Sequence, residues 1–345
     1  MSSANSKRLR IGVIGAGRIG RVHAEALRFR VPEADVRAIS DVRLDAATDA
    51  SQTFGIPKAC EDYHELLNDR EIDAVIICSP TDTHARIIGE AAKAGKHIFT
   101  EKPIDLELSK IDAALAAVAS AGVKFQVGFN RRFDPNFKAL ADQVRAGKIG
   151  KPHLVRITSR DPSPPPVSYI QVSGGLFLDM AIHDFDMARY VGGEEVEEVY
   201  ATGNCLVDPA IGKAGDIDTA VIVLKYRSGA ICTIDNSRQA VYGYDQRLEV
   251  FGSQGCLLAS NNAPTRTELW TAKSLEAPKP LHFFLERYMD SYVAEMREFV
   301  RCVQTGAEPS CTGDDGRKAV VLGLAAGRSL KEGRPVKISE MGGKA

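Results

Sequence analysis

LRIGVIGAGRIG, residues 9–20, decides the fold. Its first half is a short apolar run of strand length, and its second half, Gly15-Ala16-Gly17-Arg18-Ile19-Gly20, is a glycine-rich turn that opens a helical pattern. In a strand–turn–helix unit the first glycine permits the tight bend, the second lets an anionic group approach the backbone, and the third packs helix against strand. The amides at the helix start then face the anion, here the pyrophosphate of a dinucleotide held by Gly15, Gly17, Arg18 and Ile19.

Outward from this turn, the next apolar run, VRAISD, ends at Asp41, at about the 20-residue interval where such units place a carboxylate on the adenosine ribose. A carboxylate there repels a 2'-phosphate by a few kcal/mol even at an effective dielectric of about 20, which favours NAD over NADP. Arg43 is a partial counterweight. Further runs follow, AVIICS, HIFTE and FQVGF, separated by helical patterns such as THARIIGEAAKAG. This rhythm predicts a parallel, doubly wound sheet over residues 1–129. Ligands of such sheets bind at the carboxyl ends of the strands. Ser79, Thr81 and His84 of CSPTDTH are therefore expected at the cofactor, although His84 could equally pack on its own helical turn. HIFTEKPI ends its strand at Glu101 and Lys102, which places both beside the nicotinamide; the bland alternative for Lys102 is a surface lysine before a turn.

After NFKALADQVRAGKIG the rhythm changes. HLVRITS, EEVYATGNCL, DTAVIVLKY, GAICTIDNS, RLEVFG and GCLLAS follow with little helix between them, and AVIVLKYRSGAICTI turns at Ser228-Gly229. Residues 130–345 are thus expected to form an α/β domain around a large, mostly antiparallel sheet. Two helical stretches ending near glycine, from about residue 283, close the chain, and RDPSPPPVSY reads as a stiff loop rimming a site.

Composition narrows the partners. Among 345 residues, 44 Lys and Arg nearly balance 45 Asp and Glu, so no global charge draws the chain to nucleic acid or an anionic membrane. A small-molecule partner is the expectation. The seven cysteines form no CxxC pair and mostly lie in apolar runs, as reduced thiols of a cytoplasmic protein do; MSSANSKRLR has no signal-length apolar core.

In SGGLFLDMAIHDFDMARYV, residues 173–191, Asp179 and His183 stand four apart, on one face of a helix. A carboxylate beside an imidazole fixes its tautomer and raises its basicity, as a general base for alcohol oxidation requires. Such a pair also occurs as a surface contact or as two metal ligands, but no third or fourth ligand lies nearby, and no metal is expected.

Taken together, GAGRIGRVHAEAL, CSPTDTH, EKP, VGFNRRFDP and SGGLFLDMAIHDFDMARY resemble the glucose-fructose oxidoreductase and inositol dehydrogenase family over nearly the whole chain. The resemblance implies a Rossmann domain followed by an α/β domain whose open sheet builds tetramers, with the C-terminal helices from about residue 283 packing back toward the first domain. It implies that Lys102, Asp179 and His183 act on the ring hydroxyl of a cyclic polyol such as myo-inositol, with Lys102–Pro103 in the cis form. It also implies that Arg131 or Arg132, Asp161 and Tyr242 bind polyol hydroxyls, although Tyr242 could simply pack at a strand end. Family members without chemistry act as NAD(P)-binding regulators; the co-occurrence of EKP with Asp179 and His183 speaks against that role here.

Overall fold

The computed structural model describes residues 8–342. The reading of the first residues as carrying no signal falls largely on residues 1–7, outside the described residues. The chain divides into two units: one runs up to Phe133 and takes in Asp290–Arg317, and the other comprises Asp134–Met289 and the chain from Lys318 onward. The sequence reading places the boundary at residue 129 and expects the helices from about residue 283 to return to the first domain; the first unit is built from two separate stretches of chain, the second being Asp290–Arg317.

The first unit holds strands β1 (Leu9–Ile14), β2 (Ala34–Ser40), β3 (Lys58–Cys60), β4 (Ala74–Ile77), β5 (His97–Glu101) and β6 (Phe125–Gly128). Between them lie helices α1 (Arg18–Arg30), α2 (Leu44–Phe54), α3 (His64–Asn68), α4 (Thr81–Lys93) and α5 (Leu108–Ala121). The strands pair in the order β3-β2-β1-β4-β5-β6, and every pairing is parallel. Strands covered on both faces need continuous apolar side chains, and β4, AVII, is buried at every position. Its core joins Ile11, Val13, Ile39, Ile76 and Phe99 of the sheet to Val293, Met296, Phe299 and Val300 from the later stretch.

The second unit contributes β7 (Pro152–Arg160), β8 (Val196–Asn204), β9 (Thr219–Tyr226), β10 (Ile231–Ser237), β11 (Asp245–Gly252), β12 (Gly255–Ala259), the short pair β13 (Leu269–Trp270) and β14 (Leu275–Glu276), and β15 (Val336–Lys337). Its helices are α6 (Pro135–Arg145), α7 (Val167–Ser173), α8 (Ile182–Gly192) and α9 (Pro209–Lys213); α10 (Phe284–Thr305) and α11 (Gly313–Glu332) each run from one unit into the other. The sheet order is β12-β11-β7-β10-β9-β8-β15, antiparallel except between β7 and β10. The β9–β10 hairpin turns through Ser228 and Gly229, with Gly229 at φ +90°.

This sheet reads differently from the first. On β9, Ala220, Ile222, Leu224 and Tyr226 are buried while Val221 faces outward, the alternation of a sheet covered on one side. The Tyr226 hydroxyl donates to the Ala188 carbonyl of α8 at 2.8 Å, tying that helix to the covered face. The outer face keeps apolar side chains in the open, Tyr200, Val221, Ile231, Phe251 and Leu258. Five of the seven cysteines are buried as expected, Cys205 is half-buried, and Cys256 is exposed. Among the described residues no helix is long and apolar enough to cross a membrane.

Candidate active site

The glycine turn can be tested atom by atom. Gly15 takes φ +101°, and a Cβ there would stand 2.6 Å from the Cys78 carbonyl oxygen; a Cβ on Gly20 would stand 1.9 Å from the Gly15 oxygen. Around Gly17 nothing lies within 4 Å of a built Cβ, so its glycine is not demanded by the chain's own packing. Gly17 is also the N-cap of α1 and supplies no side-chain cap. Open space in front of uncapped helix amides is what a pyrophosphate fills. Asp41 Oδ2 accepts the Ala16 N–H at 2.7 Å and Oδ1 accepts the Arg43 N–H at 3.0 Å, which fixes the carboxylate at the rim of this turn. Arg18 and Arg43 are exposed, and Ile19 is half-buried. Loop, helix start and carboxylate fit NAD.

At the neighbouring strand ends, the Ser79 and Thr83 hydroxyls meet at 2.6 Å, and Thr81 begins α4. His84, a candidate cofactor contact, stands in the first turn of α4. Its ring is buried, with Nδ1 2.8 Å from the Pro103 oxygen and Nε2 2.8 Å from the Ser79 oxygen, so it braces two backbone segments. The Lys102–Pro103 bond so braced is cis. Glu101 is buried at the end of β5, its Oε1 2.7 Å from Nε2 of His23, and the half-buried Lys102 follows it. Of the two candidate arginines, Arg132 is committed within its own unit: it pairs with Asp315 at 2.9 Å and donates to the Ser310 carbonyl at 2.8 Å. Arg131 is buried as well, and both arginines stay candidates for the polyol.

In the second unit, Gly174 and Gly175 both take positive φ, +87° and +74°. A Cβ on Gly175 would stand 2.7 Å from Asp216 Oδ1, and that carboxylate accepts the Leu176 N–H at 3.0 and 3.1 Å. Leu176–Met180 is then a single π-helical turn, closed by the Ala181 N–H on the Leu176 oxygen at 2.9 Å, and α8 begins at Ile182. Asp179 and His183 therefore do not share one regular α-helix face: Asp179 sits in the π turn and His183 in the first turn of α8. Such turns cluster at functional sites because the widened backbone re-aims its side chains.

Asp179 accepts from the Tyr169 hydroxyl at 2.9 Å and from Arg238 at 3.3 Å, and Arg238 reaches Asp216 at 3.6 Å. Arg238 is only 1% exposed, so both acids share a guanidinium withdrawn from water. Beside His183, the buried Asp184 accepts the side-chain amide of Asn236 at 2.8 Å. Tyr169, Asp216, Asn236 and Arg238 escaped the sequence reading. A legible trace was there in NSR, a polar end to the apolar strand β10.

Asp161 is pinned through its backbone, its N–H on Ser237 and its carbonyl receiving the Ala240 N–H. The Tyr242 hydroxyl, a candidate polyol contact, donates to Asp245 at 2.5 Å and accepts from Arg160 at 3.0 Å. Burial and then Asp245 hold the phenol above its ordinary range, so it serves a network at the sheet end.

Residues 9–129 match the family described as an oxidoreductase family with an NAD-binding Rossmann fold, and residues 137–258 match the GFO/IDH/MocA C-terminal domain. The chain belongs to the GFO/IDH/MocA oxidoreductase family. Within it the chain is 54% identical over 333 residues to the myo-inositol 2-dehydrogenase of Thermotoga maritima, covering 96% of this chain and 99% of the relative. A solved myo-inositol dehydrogenase of Corynebacterium glutamicum superposes with a TM-score of 0.91 at 39% identity, over 96% of this chain and 98% of that one. The scyllo-inositol dehydrogenase of Lactobacillus casei, solved with NAD(H) and scyllo-inositol, gives a TM-score of 0.90 at 30% identity, over 96% of this chain and 100% of that one. As a GFO/IDH/MocA oxidoreductase the chain uses NAD, in keeping with the open turn at Gly17 and the carboxylate of Asp41.

Proposed function

We propose that this oxidoreductase oxidises a ring hydroxyl of a cyclic polyol, myo-inositol foremost, to the ketone. The observation that carries the substrate is the 54% identity to a myo-inositol 2-dehydrogenase across nearly the full length of both chains. His183 takes the proton of the reacting hydroxyl. Asp179, its charge kept by Arg238 and Tyr169, stabilises the imidazolium that results. Lys102 holds the developing alkoxide, the kind of charge that preorganised donors stabilise most. NAD, when bound, accepts the hydride that leaves the same carbon, so one hydride and one proton depart and the carbonyl forms. Arg131 and Asp161 orient the remaining hydroxyls.

A panel of myo-, scyllo- and chiro-inositol and pyranose sugars, followed by NADH absorbance with the purified protein, tests the substrate. Fastest turnover on myo-inositol is expected; turnover confined to pyranoses, or none at all, refutes the reading, and the latter outcome points to an NAD-binding regulator. Lys102→Ala and His183→Ala should each lower kcat about 10²–10⁴-fold while NAD affinity holds, and loss of NAD binding in either would sink the roles given to them.

The protein works in the cytoplasm in this reading, where its free thiols stay reduced. It assembles as a tetramer through the outer sheet face. The exposed side chains of Tyr200, Val221, Ile231, Phe251 and Leu258 support that assembly.

A further inference from the structure

Three acid–base side chains of the first unit come together outside the nucleotide turn: His23 of α1, Glu101 at the end of β5, and Glu295 of α10. One ligand atom from each lies within 4.8 Å of the others. His23 and Glu295 are 0% exposed and Glu101 is 8% exposed. Opposite Glu101 on the neighbouring strand is Gly128, where a Cβ would crowd Glu101 Oε1 at 3.2 Å; a glycine there leaves room for the carboxylate.

The two carboxyl groups are not equivalent. Glu101 Oε1 meets His23 Nε2 at 2.7 Å, and Oε2 accepts the Lys102 N–H at 3.3 Å. Nδ1 of His23 is buried with no hydrogen-bond partner. A bare lone pair there is less costly than an orphaned N–H, which makes Nε2 the donor to Glu101. Neither oxygen of Glu295 has a hydrogen-bond partner among the described residues. The titratable groups acting on Glu295 are Glu101 from β5 and Glu298 on its own helix, with His23 from α1 beside it and Cys78 after β4 within its field; none is a fixed cation. Two carboxylates in so dry a space cannot both ionise, and hydrogen bonds assign the charge to the one that receives donors.

We infer that Glu295 is protonated at neutral pH and that its neutrality keeps Glu101 in place as the anion that holds Lys102, making Glu295 and His23 positioning residues for the oxidation. Burial, then Glu101 and Glu298, drive the Glu295 carboxyl well above the ordinary carboxylate range, in line with the geometry. From the other side His84 holds the Pro103 carbonyl, so the segment that presents Lys102 is clamped at both its ends. Ionising Glu295 would set two anions against each other behind Lys102 and shift it. The inference rests on the role given to Lys102 above.

Infrared spectra of the cofactor-free protein, with and without glutamate ¹³C-labelled at the side-chain carboxyl, read a protonated glutamic acid at neutral pH without substrate or variant. A carbonyl band that moves with the label, and that is missing from Glu295→Gln, is expected. In the pH profile, kcat of the unaltered enzyme should carry an alkaline limb that Glu295→Gln lacks, and Glu101→Gln should lower kcat about 100-fold through misplacement of Lys102. Absence of the labelled band overturns the inference, as does a limb unchanged in Glu295→Gln. So does a stoichiometric divalent ion released on denaturation, since a metal would require both carboxylates ionised. A normal band with full turnover of Lys102→Ala ends the positioning role and locates the failure in the reading of Lys102.

Discussion

Asp41 is the side chain proposed to set the cofactor preference. Its carboxylate is held in place by the Ala16 and Arg43 amides, so it cannot swing away from a 2'-phosphate arriving at the ribose. Replacing it with alanine removes a repulsion of a few kcal/mol. The ratio of kcat/KM for NADP to that for NAD should then rise by about 10–100-fold, and an unchanged ratio would show that selection lies elsewhere. At this scale the sequence was legible wherever spacing along the chain carried the meaning: Gly15, Gly17, Gly20 and Asp41 belong to a local motif whose geometry follows from a strand, a turn and a helix. It was illegible where meaning came from partners distant in sequence. Nothing near Arg132 announces Asp315, nothing near Tyr242 separates an aromatic binding a ligand from one binding Asp245, and Asp179 gives no hint of Arg238.

Among elements, the glycine turn yields the sharpest contrast. Gly17→Ala meets no atom of the chain, so its thermal unfolding should match that of the parent protein while NAD affinity falls at least tenfold, because the methyl enters space meant for the pyrophosphate. Gly20→Ala must displace the Gly15 carbonyl, so both the melting temperature and NAD binding should drop. Calorimetry with and without NAD separates the two; equal melting of the two variants would contradict the packing described. The long, continuous strands and the paired hairpin β9–β10 were readable because periodicity and turn residues agree. Three elements were not. Strand β3 has three residues, too few to show a period. Helix α7 follows directly on three prolines that read as loop, yet Pro166 is its N-cap, a position where proline costs no hydrogen bond. The π turn at Leu176–Met180 keeps the spacing of an ordinary helix in sequence and is set by Asp216, forty residues on, receiving the Leu176 amide.

For the molecule as a whole, acid stability can be followed to Glu195. Its carboxyl is lowered from 4.5 to about 2, first by the hydrogen bonds of Arg189, with burial opposing and Lys318 assisting. A depressed folded value means stability that is present above pH 4.5 and is lost as pH falls toward 2. The site is partly open to water, so the contribution is screened to about 1 kcal/mol. Glu195→Gln should flatten the fall in denaturant midpoint over that window and change little at neutral pH; a slope identical to the parent's would remove Glu195 from the account. Assembly has a similar handle. Leu258, 67% exposed on the outer sheet face, should when changed to aspartate shift the protein from the proposed tetramer toward smaller species in light scattering, with folding intact. Two-domain architecture was readable from the change of rhythm near residue 130, but the return of the last helices to the first unit was expected only from the family resemblance, since a helix's periodicity says which face is apolar and not what covers it.

That split membership bears on how the protein is made. On a ribosome the first 133 residues emerge with their six strands complete, yet Val293, Met296, Phe299 and Val300 are still unsynthesised, and the apolar surface they seal stays wet until nearly all of the chain has been translated. The nucleotide-binding half is consequently no detachable cassette: a gene fragment ending at Phe133 would encode an unsealed, aggregation-prone sheet, and recombination that moved this half to a new host would have to carry Asp290–Arg317 along with it.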